Sequence, residues 1–138
     1  MKTNTIILVD ALKGLKMLPD QSVDCIVCSP PYWNLRDYEI VGQIGLEKSY
    51  ADYLIKLSGI FSQAYRVLKT QGTLWVNIAD TYFSGSSNSK HKSSVLPKSF
   101  TGIPQRFAID MVDSGWLLRN TIIWRKPNAM PESAKDRF

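Results

Sequence analysis

The chain begins with a short β-branched run, Thr5-Ile6-Ile7-Leu8-Val9, which predicts a buried strand ending at Asp10. Leu12, Leu15 and Leu18 then recur at helical spacing, so residues 11–18 should form a short helix stopped by Pro19. A second apolar run predicts a strand over residues 22–28, ended by Pro30 and Pro31. Residues 33–48 show no steady period, and Gly42 and Gly45 suggest a structured loop. The clearest periodicity follows: Tyr53, Leu57, Ile60, Phe61, Ala64 and Leu68 share one face of a helix spanning about residues 50–69. Ser49 can cap that helix, Asp52 completes a loose capping box, and Gln71-Gly72 should end it. Residues 73–78 predict a third buried strand, with Asp80-Thr81 just beyond. Residues 84–94 are rich in serine and lysine, and the stretch 84–97 reads as a mobile loop. Residues 102–114 predict another helix, with Pro104 in its first turn and Gly115 past its end, and residues 116–124 a fourth strand.

Strands alternating with helices imply one α/β domain with a mainly parallel sheet. Ligand sites in such sheets gather beyond the carboxyl ends of the strands. Asp10, Ser29-Pro30-Pro31-Tyr32, Asp80-Thr81 and Trp124 all fall at those predicted ends. A length of 138 residues suits a single domain, and 44% hydrophobic against 21% charged residues excludes a disordered tail. No run reaches membrane-spanning length and no signal peptide is evident, so a cytoplasmic location is expected.

Charge alters this picture. Residues 1–83 carry eight basic and eight acidic side chains, whereas residues 84–138 carry nine basic and four acidic ones, which accounts for the whole net charge of +5. A basic half on a neutral half suits either a polyanion such as nucleic acid or an ordinary solvated surface. Cys25 and Cys28 have a C-x-x-C spacing, but no second pair exists to complete a metal site. Three residues apart on a strand, they should point to opposite faces as buried, reduced thiols. The lone His91 falls in the serine-lysine stretch and reads as a solvent or phosphate contact.

The candidate chemistry lies at the end of the second strand. An exocyclic amino group on cytosine or adenine is a poor nucleophile because its lone pair is delocalised into the ring. Two acceptors on rigid backbone can take both amino hydrogens and draw the nitrogen towards a tetrahedral form. The Ser29 hydroxyl oxygen and the Pro30 carbonyl would supply them. Pro30 and Pro31 stiffen the turn and bring no competing amide hydrogen, while Tyr32 offers a face on which a flipped-out base can stack. No covalent bond to the base is needed, so Cys28 has no required role. The same four residues could equally be a strand-ending turn.

The wider sequence resembles the SPPY-type N4-cytosine/N6-adenine DNA methyltransferases of the β arrangement, in which the catalytic motif precedes the cofactor motif. The resemblance is carried by Asp10-Ala11-Leu12, by the run from Cys28 to Tyr38, and by Gly42-Gln43-Ile44-Gly45-Leu46-Glu47. It continues from Gly72 to Tyr82, through Ile123-Trp124-Arg125-Lys126-Pro127-Asn128, and ends with Met130-Pro131-Glu132-Ser133. It implies a Rossmann-like fold, S-adenosylmethionine as methyl donor, double-stranded DNA as partner and a restriction–modification setting. Asp10, with Ala11 beside it, would contact the cofactor's adenine ring, and Ser29, Pro30 and Pro31 would border its methionine part. Trp124 matches an aromatic position near the target base, although it suits the core of its strand equally well. Trp33, Asn34, Arg36 and Asp37 would shape a loop over the site. Arg36, Lys90, Lys92, Arg125 and Lys126 are candidate DNA contacts, Arg36 having Asp37 and Glu39 as alternative partners. Asp80 either serves the site or caps the next segment.

Serine at the first motif position favours cytosine N4, with adenine N6 the alternative. The family's Phe-x-Gly-x-Gly cofactor loop is missing from these 138 residues. The sheet is therefore expected to be incomplete, lacking both the cofactor half and the target-recognition region. A second chain or a C-terminal half would complete it. An inactive fragment that binds DNA or joins an assembly is the alternative of another class.

Overall fold

A computed structural model describes residues 4–83 and 95–128. Five elements follow one another: α1 (Ala11–Lys16), β1 (Val23–Cys28), α2 (Tyr50–Val67), β2 (Leu68–Val76) and α3 (Ile103–Asp113). β1 and β2 pair in parallel, with Ile26 opposite Leu74 and Cys28 opposite Val76. A parallel pair needs a long crossover, and the loop after β1 together with α2 provides it. The chain is thus α/β, as the alternation of patterns implies.

α2 forms where its periodicity predicts. Ser49 accepts a hydrogen bond from the Asp52 amide at 3.1 Å, so the cap is real. Tyr53, Leu57, Phe61 and Ala64 form a buried stripe that meets Ile26, Cys28, Leu74 and Val76 from one face of the sheet. α3 packs beside it through Phe61 and Phe107, whose ring centroids are 5.0 Å apart. α1 is tied to α2 by Arg66, which donates to the Leu15 and Leu18 carbonyls at 2.9 and 3.1 Å and pairs with Asp20. α3 begins at Gly102, which takes a left-handed φ of 70°, and carries Pro104 in its first turn.

The structure corrects several expectations. α2 ends at Val67, and Gln71-Gly72 lie inside β2 instead of terminating the helix. The Gln21 and Ser22 amides donate to the Arg66 and Val67 carbonyls at 3.1 and 2.8 Å, so tertiary donors satisfy the helix end that a glycine cap would otherwise serve. Gly72 instead permits a tight irregularity in β2, where a Cβ would lie 2.8 Å from the Leu68 side chain and 3.2 Å from the Asp24 carbonyl.

Residues 5–9 and 116–124 are not strands. A strand exists only where its backbone groups find a ladder partner, and among the described residues β1 and β2 pair only with each other. Leu8 is fully exposed, and Trp124 is 75% exposed instead of buried in a strand core. The predicted strands at 22–28 and 73–78 are covered on one face only, so Val27 and Trp75 stand open on the other. Cys25 shares that open face and is exposed, not buried. Cys28 turns inward against the core, so the two thiols do diverge and both are free.

Most of the loop expected over 84–97 lies outside the described residues. Of its described end, Val95 is buried while Leu96 and Pro97 are exposed. No described helix is long and apolar enough to cross a membrane.

Candidate active-site turn

β1 delivers Ser29-Pro30-Pro31-Tyr32 to the carboxyl end of the parallel pair, beside the end of β2, where the Asn77 amide donates to the Cys28 carbonyl at 2.9 Å. Beyond this point neither proline can extend the ladder. Ser29 is exposed, and its hydroxyl donates to the Tyr32 hydroxyl at 3.4 Å, so the motif folds back on itself. The fully buried Tyr53 of α2 donates from its hydroxyl to the Pro31 carbonyl at 2.9 Å. No described donor engages the Pro30 carbonyl. An exposed serine and a carbonyl that no described donor engages are thus consecutive on a turn that Tyr53 anchors through Pro31.

The following loop is packed behind this turn. Trp33 is buried, its ring nitrogen donates to the Glu47 carbonyl at 3.0 Å, and its ring meets Tyr50 edge-on. The Asn34 amide donates to the Gly45 carbonyl at 2.7 Å, and the Gly45 amide donates to the Glu47 carboxylate at 2.8 Å. Lys56 of α2 pairs with the other oxygen of that nearly buried carboxylate at 2.9 Å. Further out, the Gln43 side chain bridges the Tyr38 amide and the Arg36 carbonyl. Asp37 accepts from the Glu39 amide at 2.7 Å, and neither acid pairs with Arg36, whose side chain is exposed. Burial, then Glu47, then Tyr32 push the Tyr53 hydroxyl above the usual tyrosine range, which keeps it a donor at neutral pH. Burial likewise raises the Cys28 thiol and keeps it un-ionised.

The other predicted site residues are not gathered here by any described contact. Asp10 does not end a strand; it is the exposed N-cap of α1, with one carboxylate oxygen accepting from the Lys13 amide at 3.0 Å. Ala11 is the first residue of that helix and is exposed. Trp124, Arg125 and Lys126 lie on an exposed, unpaired segment. Lys90, Lys92 and His91 fall outside the described residues. Asp80 acts as a cap at a distance: its carboxylate accepts from the Thr101 hydroxyl at 2.6 Å, the Gly102 amide at 2.9 Å and the Ile103 amide at 3.2 Å. Gly102 offers no side chain to cap α3, and Asp80 stands in for it.

Asp10 and the Ser29–Pro31 turn, the residues that the resemblance assigns to S-adenosylmethionine, are not joined by any described contact. Two surface depressions are lined by Gln21, Asp24 and Lys69 to Gly72, and by Val95 to Phe100 with Arg106; neither includes Asp10 or Ser29 to Tyr32. The first lies at the opposite end of the parallel pair. Sequence reading placed Tyr53 in the core and assigned it nothing more. The available signal was a tyrosine on an apolar stripe, whose hydroxyl must find a partner once buried.

Residues 23–138 match the sequence model of a family described as DNA methylase. The chain is 50% identical over 144 residues to the type II methyltransferase M.Cfr9I of Citrobacter freundii, a match covering 93% of this chain and 48% of that protein. It is 45% identical over 153 residues to M.XycI of Xanthomonas campestris pv. cyanopsidis, with coverage of 99% and 51%. With M.SmaI of Serratia marcescens the identity is 40% over 153 residues, with coverage of 99% and 52%. The chain therefore spans about half the length of these curated relatives.

Capping of α3 by Asp80 can be tested directly. Asp80→Ala should cost about 2 kcal/mol in urea unfolding, the upper end for a lost cap, and Asp80→Asn, which keeps one acceptor oxygen, should cost less.

Proposed function

On the premise that this chain belongs to the DNA methylase family, we propose that it carries the catalytic part of an enzyme that methylates an exocyclic amino group of a base in DNA. The observation that carries the reading is the exposed Ser29 hydroxyl next to a carbonyl, that of Pro30, which no described donor engages. Both can accept a hydrogen bond from the same amino group. Drawing on both hydrogens localises the nitrogen lone pair, and the rigid turn does so without reorganising. Tyr32 borders this position and supplies a face for an extruded base, with Trp124 a second stacking candidate if its segment folds back towards the turn.

The methyl donor implied by the family is S-adenosylmethionine, with Asp10, Ala11, Ser29, Pro30 and Pro31 as this chain's candidate contacts. Further contacts to it would come from residues outside those described. The exposed apolar residues at 5–9 and 117–124, and the open face carrying Val27 and Trp75, are consistent with a larger Rossmann-like sheet that further residues complete. Exposed Arg36, Arg125 and Lys126, with Lys90 and Lys92, are the proposed phosphate contacts on double-stranded DNA. Cytosine N4 is the proposed target, on the strength of serine at the head of the motif, and adenine N6 is the alternative. The type II relatives support a site-specific, restriction–modification role.

In the full-length protein, Ser29→Ala should lower methyl transfer by about 10²-fold or more, as deletion of one preorganised polar group does, without loss of fold. Near-normal transfer would overturn the assignment, and nucleoside analysis of the methylated DNA should yield N4-methylcytosine. The 138-residue chain alone should bind S-adenosylmethionine only weakly in calorimetric titration; micromolar affinity would show that it holds a complete cofactor site.

A further inference from the structure

We propose that Tyr53 is a positioning residue for the Ser29-Pro30-Pro31 turn, its buried hydroxyl fixing the Pro31 carbonyl and thereby setting where the Ser29 hydroxyl and the Pro30 carbonyl point. The inference rests on the amino-methyltransferase reading of that turn.

Packing alone does not explain the hydroxyl. Tyr53 lies on the apolar stripe of α2 and is fully buried, a place where phenylalanine would fill the same space. A buried hydroxyl without a partner is destabilising, and this one spends its hydrogen on a backbone carbonyl that no amide engages. The two prolines make such help necessary, because they remove the amides that would otherwise anchor the strand end.

The turn is also confined from the side of the following loop. Gly45 has a φ of 104°, and a Cβ there would lie 3.0 Å from the Tyr32 carbonyl and 3.4 Å from the Pro31 Cβ. Gly45 is referred to the same helix as Tyr53, since its amide is held by Glu47 and Glu47 by Lys56. Tyr53 and Lys56 stand about one turn apart on α2. One helix therefore bears on the motif through two separate contacts, directly from Tyr53 and through Lys56, Glu47 and Gly45. Two acceptors that must meet one amino group need placement to within about 0.5 Å, which a proline turn with a single anchor would not supply.

The test is Tyr53→Phe in the full-length protein, with Ser29→Ala alongside. Tyr53→Phe should slow single-turnover methyl transfer at saturating S-adenosylmethionine by about 10–100-fold while DNA affinity stays within about two-fold of the parent, since misplacing a reacting group costs rate more than binding. The loss should be constant from about pH 6 to 9, because a tyrosine held above its ordinary range does not titrate there. An unchanged rate would overturn the proposal, as would a loss of DNA binding that fully accounts for the slower turnover. If Ser29→Ala is inactive and Tyr53→Phe fully active, positioning by Tyr53 falls and the site assignment stands. If Ser29→Ala is fully active, the site assignment falls and this proposal falls with it. Should Tyr53→Phe not fold, Gly45→Ala decides: its added methyl meets the Tyr32 carbonyl and the Pro31 Cβ of the same turn and should reduce the transfer rate with binding retained. An undiminished rate in that variant would overturn the proposal.

Discussion

Two successive prolines leave the end of β1 with a turn that is stiff but has no amide of its own to anchor it. The Tyr53 hydroxyl answers that constraint by reaching from the core to the Pro31 carbonyl. It can do so because α2 crosses directly over the sheet face that carries Ile26 and Cys28. The crossover that makes β1 and β2 parallel therefore also places the anchor. Trp33, four residues after Ser29, carries the chain back into the same core, so the partly buried motif is attached to the core through Tyr53 and Trp33.

Carboxylates withdrawn from solvent organise the surroundings of this turn. Glu47 gathers the Gly45 amide and Lys56, and Asp80 gathers the start of α3. Each offers acceptors to backbone donors that would otherwise be left unpaired, which is why an acid can lie close to the core without a large cost. Neither needs a direct part in chemistry to matter for it. Their effect is to make the loop and the neighbouring helix rigid.

The sheet is strongly asymmetric. One face is packed by the apolar stripe of α2 and by α3, while the other leaves Cys25, Val27 and Trp75 open. Apolar residues at 5–9 and 117–124 are likewise exposed. Exposed apolar surface of this extent ordinarily marks an interface, which accords with a chain spanning about half the length of its curated relatives.

The amino-acid sequence by itself determined the local features. The 3.6-residue stripe of α2, the Ser49 cap, Pro104 and Gly102 around the start of α3, and the proline turn after β1 are all set by nearest neighbours along the chain. The Ser29 motif and the family resemblance were legible for the same reason, since both are contiguous. What required tertiary structure was every feature whose partner is distant in sequence. A β-branched run at 5–9 specifies extended backbone, but only a neighbouring strand makes it part of a sheet, and none is present among the described residues. Gln71-Gly72 looked like a helix stop until the Gln21 and Ser22 amides took over the end of α2. Asp80 could be a site residue or a cap until Gly102, a residue without a side chain to offer, was found beside it. Tyr53 read as plain core because periodicity reports which face is buried. The destination of a buried hydroxyl depends on which backbone crosses it, and only the fold decides that.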